Sequence, residues 1–215
     1  ETWRDSRTLF AHAVALEESS VAHTNLGLAL EADGELAAAE RHHARATELA
    51  PALAGPRLNR ARVLGALGRR SEAEAELAAA VAAEPDLAEA HAQLGWLLVE
   101  EGRDAEALPH LRRAHELAPE HLAIANNLAW VLATSATVAD AAAARALAER
   151  LVDSSRGQQP AHLETLAAAL ARLGRFEEAV PWQARALECV PAAARGPLAE
   201  RLALYRSGRP YVRGR

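Results

Sequence analysis

The histidines are the first residues here that could do chemistry, since imidazole ligates metals and carries protons near neutral pH. There are nine of them. Two metal ligands on one helix must share a face, at a spacing of i,i+3 or i,i+4. His42 and His43 are adjacent, which puts them about 100° apart around a helix. His110 and His115 are five positions apart, and His115 and His121 flank Pro119. No HExxH occurs, and the single cysteine, Cys189, offers no thiolate pair. No metal site is expected. His23 and His91 read as packing residues at helix starts, and Cys189 reads as a buried helical thiol. The stretch Gly65-Ala66-Leu67-Gly68 falls at a helix end rather than between a strand and a helix, so it is no phosphate loop. There is no GxSxG elbow. The acidic pairs Glu17/Glu18 and Glu177/Glu178 read as solvated helix faces, not as carboxylates set across a cleft. No catalytic residue and no cofactor is expected.

A different chemistry recurs. Asn25, Asn59, Gln93 and Asn127 carry amides at steps of 34 residues (59 − 25, 93 − 59, 127 − 93), with Thr165 in the matching later place. An amide both donates and accepts, so a row of them can pair with a peptide backbone without reading side chains. The same amides could instead satisfy neighbouring backbone or face water. Trp96 and Trp130 share the step of 34 (130 − 96), each directly after a small residue. An indole joins a large apolar ring to one N–H donor, which suits an apolar side chain, a proline or a sugar face. The alternative is that the two rings fill space beneath an irregular connection. Arg57, Arg60 and Arg62 make one helix basic. Arg60 stands where a core leucine recurs, so it either snorkels to solvent or meets an acid, of this chain or of a ligand. The candidate ligand-binding set is Asn25, Asn59, Arg62, Gln93, Trp96, Asn127 and Trp130.

The elements that position this set are helices. Half of the residues are apolar, mainly Ala and Leu, which lose little side-chain freedom in a helix. Runs rich in β-branched residues are absent. Gly34, Gly68 and Gly102 keep the same step of 34, as do Ala46, Ala80 and Ala114, and Pro51, Pro85 and Pro119. The glycines, with Gly174, end first helices where a left-handed residue is wanted. The prolines, with Pro191, stop second helices. Gly27, Gly95, Ala61, Ala129 and Ala167 let paired helices approach. One stretch shows the whole pattern: Leu94, Gly95, Leu98, Gly102, Ala107, Leu111, Ala114 and Pro119. It resembles the tetratricopeptide repeat.

That resemblance implies an all-α TPR superhelix, an α-α solenoid of about five helix hairpins. Its first helices would line a concave groove. The expected layout is one solenoid over 1–215. An orphan helix at 3–18 precedes repeats at 20–53, 54–87, 88–121, 122–159 and 160–193, and a capping helix covers 197–206. In the fourth repeat, residues 133–138 replace the tight glycine turn, and a helix resumes at 139–153. The amide row resembles the asparagine ladder of the O-linked N-acetylglucosamine transferase repeats, which grips a peptide backbone. The resemblance therefore implies a non-catalytic scaffold binding a protein or peptide in its groove. The chain has no lysine, so the carboxylate-clamp variant is not supported.

Net charge is −5 with interspersed signs, which argues against nucleic acid as a partner. The basic residues from Arg206 to Arg215 read as a frayed tail. No apolar run of about 18 residues occurs, so no membrane span is expected. The start at Glu1 and the lack of Met read as a piece, or a processed form, of a longer chain. Three segments bear on its context: 2–10 (Thr2-Trp3-Arg4-Asp5-Ser6, then Thr8-Leu9-Phe10), 126–134, and 163–169 with 202–210. They resemble bacterial proteins that join a multi-pass, glycosyltransferase-like membrane domain to C-terminal repeats. This implies an alternative function, an extracytoplasmic (periplasmic) accessory domain recognising acceptors, membrane-tethered in the full-length protein. Trp3 and Trp182 read as packing residues. The unpaired first helix leaves an apolar flank through which copies could self-associate.

Overall fold

The computed structural model describes residues 6–214. Among these, twelve α-helices and one short 3-10 turn are present, and there is no strand. The chain divides into two compact units, Glu1–Leu94 and Gly95–Arg215.

In the first unit α1 (Ser6–Leu16) packs on α2 (Ser20–Ala32). Next, α2 pairs with α3 (Leu36–Leu49), and α4 (Ala54–Ala66) pairs with α5 (Arg70–Ala83). The expected orphan helix is α1; Trp3, with residues 1–5, lies outside the described residues. Ser19 caps α2 by accepting the Ala22 N–H at 3.2 Å. Leu26, Leu30, Ala39 and Val63 form a buried cluster, against which Phe10 and Val14 of α1 pack.

The second unit completes α6 (Ala88–Glu100) and continues with α7 (Asp104–Leu117), α8 (Leu122–Thr134), α9 (Ala141–Ser154), α10 (Pro160–Arg172), α11 (Phe176–Glu188) and α12 (Arg195–Arg206). Its largest cluster gathers Leu163, Leu166, Leu170, Val152, Ala179 and Tyr205, with Trp182 packed on it as expected.

The tight turns share one geometry. Gly34, Gly68, Gly102 and Gly174 have φ of +79°, +76°, +77° and +76°. After each, the next N–H reaches back to a leucine carbonyl: Glu35 to Leu30, Arg69 to Leu64, Arg103 to Leu98 and Arg175 to Leu170. This is the left-handed helix ending that glycine permits and a side chain resists. The fourth repeat does without it. There the hydroxyl of buried Ser135 accepts the N–H groups of Thr137 and Val138, both at 3.1 Å. Asp140 then caps α9 through the Ala143 N–H.

Two expectations are corrected. Cys189 is exposed, because it follows the last residue of α11, where the chain leaves the packed face. The stretch from Arg206 does not fray: Arg206 ends α12, and Gly208 (φ +69°) turns the chain back. The Arg213 N–H then bonds the Thr134 carbonyl at 2.9 Å.

Candidate functional site

The amide row lies on the first helices of the hairpins, at half-buried positions of α2, α4, α6 and α8. Its members have different partners. Asn25 and Asn127 make no side-chain hydrogen bond among the described residues. Asn59 accepts from Arg62 at 3.4 Å. Gln93 donates to Glu89, one turn back on its own helix, at 3.0 Å. Thr165 is buried and committed, its one hydroxyl proton shared between Asn126 Oδ1 at 2.9 Å and the Ala161 carbonyl at 2.8 Å.

In the first unit, Glu31 organises the neighbourhood of Asn59. Its carboxylate, 10 % exposed, accepts from Arg62 Nη2 at 3.0 Å and from Arg62 Nη1. It also accepts from His43 Nε2 at 2.7 Å. Arg62 is thus held by an acid of its own chain. Arg60 resolves the same way, pairing with Glu40 of α3 and Glu76 of α5 at 3.0 and 2.8 Å. Burial pushes the His43 imidazole below its ordinary range, against the Glu31 bond that pulls it up. The neutral ring then gives its one proton to Glu31 from Nε2, and buried Nδ1 is left without a partner. His43 occupies the column of Leu77 and Leu111 (43 + 34 = 77; 77 + 34 = 111). His23 and His91 are buried at helix starts, as expected of packing residues. His23 Nδ1 meets His42 Nδ1 at 2.9 Å. Burial, then the nearby charge of His23, holds the His42 imidazole below its usual range.

In the second unit the two tryptophans diverge. Trp96 Nε1 donates to Glu100 one turn on, at 3.0 Å. Trp130 belongs to a cluster: the Arg201 guanidinium lies 5.3 Å from its ring centroid and 4.8 Å from that of Tyr211, and the two rings are 6.0 Å apart. Arg201 also pairs with Glu164 of α10. Burial raises the Glu164 carboxyl above the ordinary range, with Arg201 opposing. Each cation–π contact contributes about 0.5–2 kcal/mol, more as water is excluded. Glu31, Asp104, Glu164, Arg201, Tyr211 and Arg213 were absent from the sequence-derived set, since none follows the repeat period alongside like residues. A proline and a tyrosine in the basic tail were the available signal.

Among the described residues, no group of three or more His, Cys, Asp or Glu side chains is placed to hold a metal ion. No helix of the described residues is long and apolar enough to cross a membrane. The first helices present amides, indoles and paired charges.

Models of the tetratricopeptide repeat match residues 88–121 and residues 137–194. Those two stretches are tetratricopeptide repeats. Similar solved structures agree. YrrB, a TPR protein with an unusual peptide-binding site, is 20 % identical, with a TM-score of 0.71, covering 89 % of this chain and 97 % of that one. A thermophilic TPR protein of Thermus thermophilus is 23 % identical, with a TM-score of 0.60, covering 87 % and 99 %. A Thermobaculum terrenum O-GlcNAc transferase is 27 % identical, with a TM-score of 0.56, covering 63 % of this chain and 26 % of that one. No curated protein matches the chain by sequence. The first two likenesses are of fold, and the fold alone assigns no ligand.

Proposed function

We propose that this chain is a scaffold that binds an extended peptide or protein segment on the first helices of its repeats and catalyses nothing itself. The observation that carries this reading is the state of Asn25 and Asn127. Both are half-buried, both recur on the repeat period, and neither spends its amide among the described residues. An uncommitted amide keeps both its donor and its acceptor for a ligand backbone. Arg62 contributes less than its charge suggests, because Glu31 already neutralises it. The test is selection of binders from a random peptide library against the whole chain, followed by titration calorimetry. Asn25→Ala and Asn127→Ala should each weaken the selected peptides severalfold while leaving helical content intact. Failure to select any peptide, or binding indifferent to both substitutions, would sink the reading.

A second reading sets the same scaffold beside a membrane-embedded glycosyltransferase, outside the cytoplasm. It is supported by the resemblance of the three segments quoted above. Reading the gene upstream of Glu1 tests it: several hydrophobic spans just before Thr2-Trp3-Arg4 are expected, and their absence removes it.

A further inference from the structure

Residues 209–213 are seated in the second unit as a bound peptide would be. After the Gly208 turn, Pro210, Tyr211, Val212 and Arg213 run on without regular structure, all half-buried. Tyr211 stacks at a tilt of 31° on Trp130, under the Arg201 guanidinium. Two residues on, Arg213 donates its backbone N–H to the carbonyl of Thr134, the last residue of α8. Its Nη1 donates to the Val99 carbonyl in the last turn of α6 at 3.1 Å, and its Nη2 donates to Asp104. Helix C-termini carry partial negative charge, so the end of α6 and a carboxylate form a receptor for one cation while the end of α8 holds the segment's backbone.

Asp104 is the telling residue. It opens α7 and is buried, at 7 % exposure. The residues that open the other second helices in the same frame are Leu36, Arg70 and Phe176, so the repeat itself does not require an acid there. A buried carboxylate needs a partner, and the cation it meets is 109 positions away in sequence.

The geometry points to a peptide-binding site on Trp130, Arg201 and Asp104, whose incoming ligand is an extended segment with an aromatic residue and, two positions later, an arginine. Residues 209–213 are its resident occupant. This rests on the scaffold reading above and names the ligand for the second unit. A tethered occupant acts at high effective concentration, so an outside segment binds only as often as the resident one lifts.

The test uses the whole chain and the peptide Gly-Arg-Pro-Tyr-Val-Arg. Tyr211→Ala combined with Arg213→Ala lifts the resident segment. That variant should bind the peptide at least about tenfold more tightly than the unaltered chain, the fraction by which an occupied site is discounted, and adding Asp104→Asn should abolish binding. An opened variant of native helical content that binds nothing, or equal binding by both forms, overturns the proposal. Should the variant not fold, hydrogen exchange of the unaltered chain decides. The Arg213 amide should exchange by a local opening, well before the core amides of α8 and α10; exchange only on global unfolding overturns displacement. Library peptides that depend on Asn127 but ignore this hexapeptide would remove the self-ligand and leave the scaffold reading standing. Hexapeptide binding with no library binders would keep this site and remove the amide row as the surface that holds a peptide.

Discussion

Gly27 lies flat against the ring of His43: a Cβ at position 27 would stand 2.5 Å from Cε1 and 2.7 Å from Nε2. His43 is fully buried, so its ring has nowhere to retreat. Gly27→Ala should therefore destabilise the chain by about 1–3 kcal/mol, the usual cost of overpacking. Adding His43→Ala should return part of that loss. Urea melts of the single and double variants check it, and simple additivity would show that the two residues do not collide.

Glu31 serves two partners of unequal need. Removing it strands a buried imidazole, whereas removing half-exposed Arg62 leaves the Glu31 carboxylate still bonded to His43. Glu31→Ala should cost about 1–3 kcal/mol, and Arg62→Ala under about 1 kcal/mol. Equal losses would mean that Arg62, not His43, is what Glu31 stabilises.

Acid should weaken the fold through the buried imidazoles. His42, His43 and His162 are all held below their ordinary range, burial being the first cause in each. Between their lowered folded values and about 6.5, where free histidine titrates, the unfolded chain binds more protons than the folded one. Stability is thus full above that range and falls as pH drops through it. Glu164, raised by burial, contributes the opposite slope. The clean measurement is therefore a difference: Tm of His43→Leu minus Tm of the unaltered chain should become more favourable from pH 7.5 to 5.5. A difference independent of pH would refute the assignment.

Ser135 does in the fourth repeat what glycine does in the others. Ser135→Ala strands the two N–H groups its hydroxyl accepts and should cost about 1–2 kcal/mol. The same change at Ser154, exposed and bonded only to the Arg150 carbonyl of its own helix, should cost far less.

Cys189 should react with a thiol reagent in the native chain, at one equivalent and without denaturant, because it is exposed. Protection until unfolding would mean that another surface covers it.

Much of the fold is legible because its signals are local. Left-handed backbone favours glycine, so Gly34, Gly68, Gly102 and Gly174 declare their turns from local sequence. Pro51, Pro85 and Pro119 declare helix ends for an equally local reason. The site is less legible because its partners are distant. Arg62 looked like a ligand cation until Glu31, 31 positions earlier, was seen to hold it. Arg60 broke the leucine column because two acids, Glu40 and Glu76, converge on it from neighbouring helices. Cys189 is exposed against expectation because helical pattern does not say which side of a helix end faces water. Arg213 looked like solvent-exposed tail, since its carbonyl and carboxylate partners lie 114 and 109 positions upstream.

Repeat stacks ordinarily behave as one-dimensional arrays, in which each hairpin knows only its neighbours and unravelling starts at a free end. The Arg213–Asp104 ion pair changes that topology, since it joins the segment after α12 to the start of α7 and closes six helices into a loop. Force applied near residue 214 would load this clasp before α12 could peel. Unfastened, the same helices would regain a loose end and melt piecemeal; fastened, they should come apart together.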